Sequence, residues 1–237
     1  MQWTFSVPHN VTDLIGLFPS PSAYVELLQG MMVNTSLWAG PLLAALPNPW
    51  LWIGNEPSLL IPWQFAWLNS DAWRTQYWVR STLDTSFPLT PDGVPGNDDF
   101  GATNSWAVWA CLGLYPVAAT GFYALASPCF ANVTLQLPSA VAAAAGYAHA
   151  QGPLASDPTP LIHIVAHNFS ASNLFVARAV LNGQPLASPI VSHNDLLPPL
   201  WQPRPGQDAA AHAKRRAAPA PSLLEFTLTD TPRHWGV

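Results

Sequence analysis

The chain has 237 residues, a formal net charge of −5, and only 9% Asp, Glu, Lys and Arg beside 49% apolar residues. It is long enough to bury a sizeable core, and so low a charge excludes a disordered chain, which needs low hydrophobicity and high net charge. The acidic balance leaves no basic surface for nucleic acid: the one basic cluster, Lys214-Arg215-Arg216, sits in an Ala/Pro-rich stretch and reads as a solvated linker.

Met1-Gln2-Trp3-Thr4 has neither the basic start nor the long apolar run of a secretory leader. Apolar residues at helical spacing predict helices over Val11–Phe18 and Ser22–Val33, with Ser22 as N-cap of the second. Ser58–Leu83 reads as one Trp- and Leu-rich helix packed on more than one face, with Pro62 tolerated near its start. Asn104–Leu114 reads as a further apolar helix, stopped by Pro116. No charge occurs from Phe100 to Ser156, and Trp106–Ala126 within that run has the ~20-residue length of a membrane span. Gly113, Pro116 and Gly121 interrupt it and no basic cluster flanks it, so it reads as a buried helix, a turn and a strand.

The second half changes period. Phe122–Leu125, Val133–Leu137, Leu161–Ala166, Leu174–Leu181 and Leu223–Leu228 are short runs bounded by Pro, Gly, Asn and Ser. Asn182-Gly183 is a hairpin turn signal. These runs predict an antiparallel sheet or sandwich, with the boundary near Val117–Gly121. The fold class is therefore α+β, with a helical part at 1–118 and a β region at 119–237. Two stretches rich in Ala, Gly and Pro, at about 140–159 and 198–222, read as loosely ordered insertions. Cys111 and Cys129 are too few for a disulfide framework and lack metal-type spacing. They either pair or both stay free, and the redox compartment stays open.

Carboxylates are scarce, so those in Gly/Asn-punctuated loops stand out. Gly54-Asn55-Glu56-Pro57-Ser58 runs into the long helix, and Pro91-Asp92-Gly93-Val94-Pro95-Gly96-Asn97-Asp98-Asp99 into the next. Capping accounts for Ser58 and for one aspartate. It does not account for two adjacent aspartates amid glycines, because neighbouring carboxylates repel unless a cation or a proton separates them. A hard cation such as Ca2+ takes carboxylate and amide oxygens from such loops. The residues alone leave a metal or carboxylate site and plain turn chemistry both open. The Trp residues that crowd this half read mostly as core, although rings beside loop carboxylates also suit stacking on the apolar face of a sugar.

These loops belong to a longer series: Val7-Pro8-His9, the Gly54–Ser58 run, Thr75-Gln76, Val79-Arg80, the Pro91–Asp99 run with Gly101 and Trp106, and Leu112-Gly113-Leu114-Tyr115-Pro116-Val117. Ser127-Pro128, Leu181-Asn182-Gly183-Gln184-Pro185-Leu186, Ser192-His193-Asn194-Asp195-Leu196-Leu197 and Trp235-Gly236 continue it. In this order the series resembles the family 92 glycoside hydrolases, over nearly the whole chain apart from the two insertions. The resemblance implies an exo-acting, inverting, calcium-dependent α-mannosidase for N-glycan-type mannosides. It also implies an (α/α)6 barrel, preceded by a β-sandwich domain and closed by a small β region. Residues 1–118 would be the last barrel helices, and 119–237 the closing β-sandwich-like region.

Carried over by position, Asp98 and Asp99 match the catalytic pair that supplies the general base. Glu56 and Asp99 match calcium ligands, and Asn55, Glu56, His9 and Asn97 match substrate-binding positions. In an inverting mechanism the acid and base stand about 6.5–9.5 Å apart across the sugar. The family's general acid, a glutamate, aligns just before Gln2, so the chain reads as a C-terminal fragment whose partners are a mannose-containing glycan and the missing N-terminal part. Leu59-Leu60 stands where the family often has a His pair, and Ala102-Thr103-Asn104-Ser105 replaces a Met-Ser-Ala-like run. A non-catalytic carbohydrate-binding or structural remnant is the alternative. Glycosylation sequons at Asn10, Asn34, Asn132 and Asn168 point to a secretory or extracellular setting.

Overall fold

Helices lead and strands follow. α1 (Val11–Gly16) and α2 (Pro21–Trp38) come first. Short 3-10 segments at Glu56–Ser58 and Ile61–Trp67 then lead into α3 (Ala72–Ser86) and α4 (Ala102–Leu112). The computed structural model describes residues 1–38, 48–136, 161–197 and 221–236. The stretch at 140–159 lies outside the described residues, as does most of 198–222, although Ser222 already belongs to the last strand.

The Asn10 side chain caps α1 by accepting the Asp13 N–H at 3.1 Å. The cap of α2 is Ser20 rather than Ser22: its Oγ accepts the Ala23 N–H at 3.1 Å. Pro21 then takes the first helical position, where a missing N–H costs nothing. Tyr24, Val25, Leu28, Met31 and Met32 form the buried stripe of α2 at helical spacing.

The single helix expected over Ser58–Leu83 is broken. Leu68 is extended (φ −126°, ψ 106°), and α3 begins only at Ala72. Asn69 puts the break to use: its carbonyl accepts the Trp235 N–H at 2.9 Å, and its amide donates to Ala187 O at 2.9 Å. The interruption is hidden in the pattern because residues on both sides of it, such as Trp63, Phe65, Trp78 and Val79, are buried. α4 is stopped by Gly113 (φ +71°) and not by Pro116, and this releases Leu114–Pro116 as a strand.

The strands are β1 (Leu114–Pro116), β2 (Phe122–Leu125), β3 (Asn132–Gln136), β4 (Leu161–His167), β5 (Phe175–Leu181), β6 (Gln184–Pro185), β7 (Ile190–Ser192) and β8 (Ser222–Thr229). They form a three-stranded sheet in the order β1-β2-β7 and a five-stranded sheet in the order β3-β4-β8-β5-β6. Asn182 (φ +51°) and Gly183 (φ +80°) make the expected hairpin turn between β5 and β6. The purely antiparallel reading needs one correction, because β4 and β8 run parallel. β4 and β5 point in opposite directions, and β8 lies between them. A strand in that place has to be parallel to one neighbour.

β8 alternates buried and half-buried residues along its whole length, with Leu224 and Phe226 fully covered. One core cluster joins these to Ile164, Leu125 and Trp235; a second gathers Trp63, Val79, Trp106 and Ala124; a third gathers Phe5, Tyr24, Leu28 and Phe65. α3 is tied to the large sheet by Gln76, whose Oε1 accepts the Val176 N–H at 2.9 Å. No helix among the described residues is long and apolar enough to cross a membrane. The uncharged stretch Trp106–Ala126 is the helix, turn and strands that its glycines and proline predict.

Candidate functional site

The two acidic loops meet backbone to backbone, and two glycines make the meeting possible. A Cβ on Gly54 would stand 2.6 Å from Pro95 O and 2.8 Å from the Trp52 ring. A Cβ on Gly96, whose φ of +68° already disfavours a side chain, would stand 2.6 Å from Gly54 O. Residues 55–56 and 97–99 are thereby pressed side by side, just before the turn at Glu56–Ser58 and just before α4.

The second loop is held to the start of α4 by its own polar groups. Asp98 Oδ1 accepts the Asn104 N–H at 3.1 Å, and Asp98 O accepts the Thr103 N–H at 3.1 Å. Thr103 Oγ1 donates to Asn97 O at 2.9 Å. The capping reading is therefore right for Asp98. Asp99 is the aspartate that capping leaves over. It adopts φ +48° and is followed by Phe100 at φ +58°, a strained pair for residues other than glycine.

Asp99 lies close enough to Glu56 for the two carboxyls to act on each other. Partial loss of water, then the neighbouring Glu56 carboxylate, and lastly the Asp98 charge, push the Asp99 carboxyl above its ordinary range. Two neighbouring carboxyls that repel when ionised make a place for a proton or a hard cation. Among the described residues, no group of three His, Cys, Asp or Glu side chains is set to hold a metal ion.

Of the residues read from sequence, Glu56, Asp98 and Asp99 are brought together, with Asn97 in the same loop. Asn55 stands beside Glu56, its carbonyl accepting the Ser58 N–H at 3.0 Å. His9 is exposed in the turn before α1, and among the described residues no hydrogen bond joins it to the acidic cluster. Leu59 and Leu60, at the positions of the family's His pair, are buried core residues. Gln2 escaped the sequence reading: its Oε1 accepts both the Trp52 N–H and the Ser58 hydroxyl, each at 3.0 Å. Its polarity carried no signal, because nothing in the pattern placed residue 2 beside residue 58. The buried tryptophans Trp63 and Trp106 are structural, stacking on Tyr115 and Phe87 respectively, while Trp52 flanks Gly54 at the edge of the site.

The family model for the glycosyl hydrolase family 92 catalytic domain matches residues 1–198. The chain belongs to glycoside hydrolase family 92. An uncharacterized secreted glycosidase of Arthroderma benhamiae is 26% identical over 193 residues, which cover 81% of this chain and 21% of that protein. Among solved structures, a family 92 α-mannosidase of Bacteroides thetaiotaomicron in complex with mannoimidazole aligns with a TM-score of 0.71 at 22% identity, covering 98% of this chain and 25% of its own. A family 92 inverting mannosidase of the same organism gives 0.66 at 22% identity, covering 99% and 28%. These structural likenesses establish a shared family 92 fold, here a mixed helix-and-strand arrangement with two sheets. The chain spans only 21% to 28% of the length of these relatives.

Proposed function

We propose that this chain is the C-terminal part of an inverting, calcium-dependent α-mannosidase acting on N-glycan-type α-mannosides. The contact between Glu56 and Asp99, held by the Gly54–Gly96 approach, carries the reading. In this reading residues 1–118 are the last helices of an (α/α)6 barrel and 119–237 its closing β region. The apolar side chains that α2 leaves exposed, Leu27, Val33, Leu37 and Trp38, suit a helix covered by further barrel helices.

Glu56 and Asp99 are the carboxylates that would hold the calcium ion, with the rest of its usual ~6–8 oxygens coming from backbone, water and sugar hydroxyls. When bound, the ion would acidify a coordinated water and draw sugar hydroxyls into place. Asp98 or Asp99 takes the proton from the attacking water. Asp98 is held toward the α4 N-terminus by the Asn104 N–H, which fixes its orientation. Asn55, Asn97 and His9 would bind sugar hydroxyls. The acid that protonates the leaving oxygen is the glutamate that the family places just before Gln2, in the longer polypeptide. Gln2 is bonded to the Asn55–Ser58 loop, so a residue next to it would stand close to the same site. The relative named a secreted glycosidase, and the exposed sequon residues Asn132 and Asn168, favour a secretory setting.

The test is mannose release from α-mannosides by the longer polypeptide that contains this chain, with calcium and with a chelator. Product anomers are followed by proton NMR. Hydrolysis with inversion should vanish on chelation, and Asp99→Asn should lower kcat by about 10²–10⁴. Activity that survives both would sink the proposal. Calcium-dependent mannoside binding without hydrolysis would instead establish the non-catalytic reading.

A further inference from the structure

Cys111 and Cys129 take no part in the acidic site. Cys111 stands on the last turn of α4, and Cys129 lies in the connection from β2 to β3. Beyond Leu114 and Leu125 the end of α4 and the segment after β2 stay in backbone contact, with Cys111 still helical. Ala126 N–H donates to Gly113 O at 2.9 Å, and Cys129 N–H donates to Cys111 O at 2.8 Å. Gly113 lets the two backbones touch, since a Cβ there would lie 2.7 Å from Ala126 O and 2.9 Å from Pro128 N. With the Cys129 amide bonded to the Cys111 carbonyl, bond lengths alone keep the two Cα atoms within about 7 Å, the outer range a disulfide spans. The two thiols are free and half-buried, and close enough to shift each other's ionisation.

We propose that Cys111 and Cys129 are a redox-active pair that closes to an intramolecular disulfide, clasping the end of α4 to the β2–β3 connection. The surroundings divide the roles between the two sulfurs. Arg80 of α3 donates to Pro128 O at 3.2 Å, which brings its guanidinium beside the pair, and Asp84, one helical turn further on, is the opposing charge. The neighbouring Cys129 thiol, reinforced by Arg80, outweighs burial and Asp84 and lowers the Cys111 thiol to about 7. Cys129 is pushed up, first by the neighbouring Cys111 and then by burial. Cys111 is therefore the attacking thiolate near neutral pH.

The oxidant is a disulfide, such as oxidised glutathione. Cys111 Sγ attacks one of its sulfurs, the oxidant's S–S bond breaks, and one thiolate leaves. With Cys111 now in a mixed disulfide, its hold on the Cys129 proton is gone. Cys129 passes that proton to the departed thiolate, and its Sγ attacks Cys111 Sγ and displaces the second thiolate, which takes up the proton originally lost from Cys111. Two protein thiols are oxidised to one disulfide, and the oxidant is reduced to two thiols.

The experiment equilibrates the full chain in glutathione buffers of graded poise, then denatures, alkylates and counts thiols by intact mass. Both thiols should disappear together in a two-electron transition, and peptide mapping should join Cys111 to Cys129. Cys129→Ser should accumulate a glutathione adduct on Cys111, whereas Cys111→Ser should leave Cys129 mostly unmodified. The same titration in urea should need a more oxidising buffer. The proposal is overturned if both thiols stay alkylatable in oxidised glutathione while the near-ultraviolet dichroism is native. It is equally overturned if the wild-type chain stops at the Cys111 adduct, or if folded and unfolded chains share one midpoint.

Discussion

Asp99 is where the local rules of the chain are broken together: a left-handed backbone, an adjacent aspartate, and a further carboxyl, Glu56, beside it. Its carboxyl is raised in the fold, so its contribution is fully present below the ordinary carboxylate range and is lost as pH rises through the raised value. In metal-free buffer the melting temperature should fall over that window more than in Asp99→Asn, whose profile should be flatter. Calcium should restore the wild-type loss and leave the variant unmoved; identical profiles in a pH series of thermal melts would count against the carboxyl contact. Gly96 is the second sensitive position. Gly96→Ala forces a side chain into a left-handed backbone and against Gly54 O, and should cost about 1–3 kcal/mol in urea denaturation. It should also part the two loops, so activity of the longer enzyme should fall even where the fold survives.

Elements whose signals are local were legible. The alternating runs and the Asn182-Gly183 turn marked β2, β4, β5 and β8 within a residue or two, because a period of two and a positive-φ turn need no distant partner. β1, β7 and the break at Leu68–Asp71 were not legible, because each exists through something remote. β1 and β7 are three-residue strands stabilised by pairing with β2, and the break is used by Ala187 and Trp235. The direction of β8 against β4 was equally hidden, since it follows from insertion between two strands distant in sequence. As the central strand, β8 should govern the sheet. Phe226→Ala should cost about 3–5 kcal/mol and lower amide-exchange protection in both β4 and β5, where an edge substitution would affect one. Loss of protection confined to β8 would contradict that.

At the scale of the molecule, helices and strands share their core: Ala72 and Leu112 pack with the large-sheet residues, and Val117, Ala124 and Ala126 pack with the Trp63–Trp106 group. The hydrogen bond from Val176 N–H to Gln76 Oε1 is a buried polar tie across that junction. Gln76→Leu leaves the Val176 N–H unpaired and should cost about 1–3 kcal/mol, with helical and sheet probes melting together. Separate transitions in far-ultraviolet dichroism and tryptophan fluorescence would show that the two halves are not coupled there.

The order of helices before strands, the positions of the acidic loops and the family itself were decided by sequence alone, because they rest on composition, period and contiguous motifs. The division of labour between Asp98 and Asp99 was not. Adjacent residues with the same side chain are indistinguishable in a string of letters. Only the path of the backbone turns one carboxylate onto the α4 N-terminus and the other onto Glu56, across the contact of two glycines distant in sequence. The approach of Cys111 and Cys129 is of the same kind: it follows from one backbone hydrogen bond and a glycine without a side chain, and no spacing rule contains it.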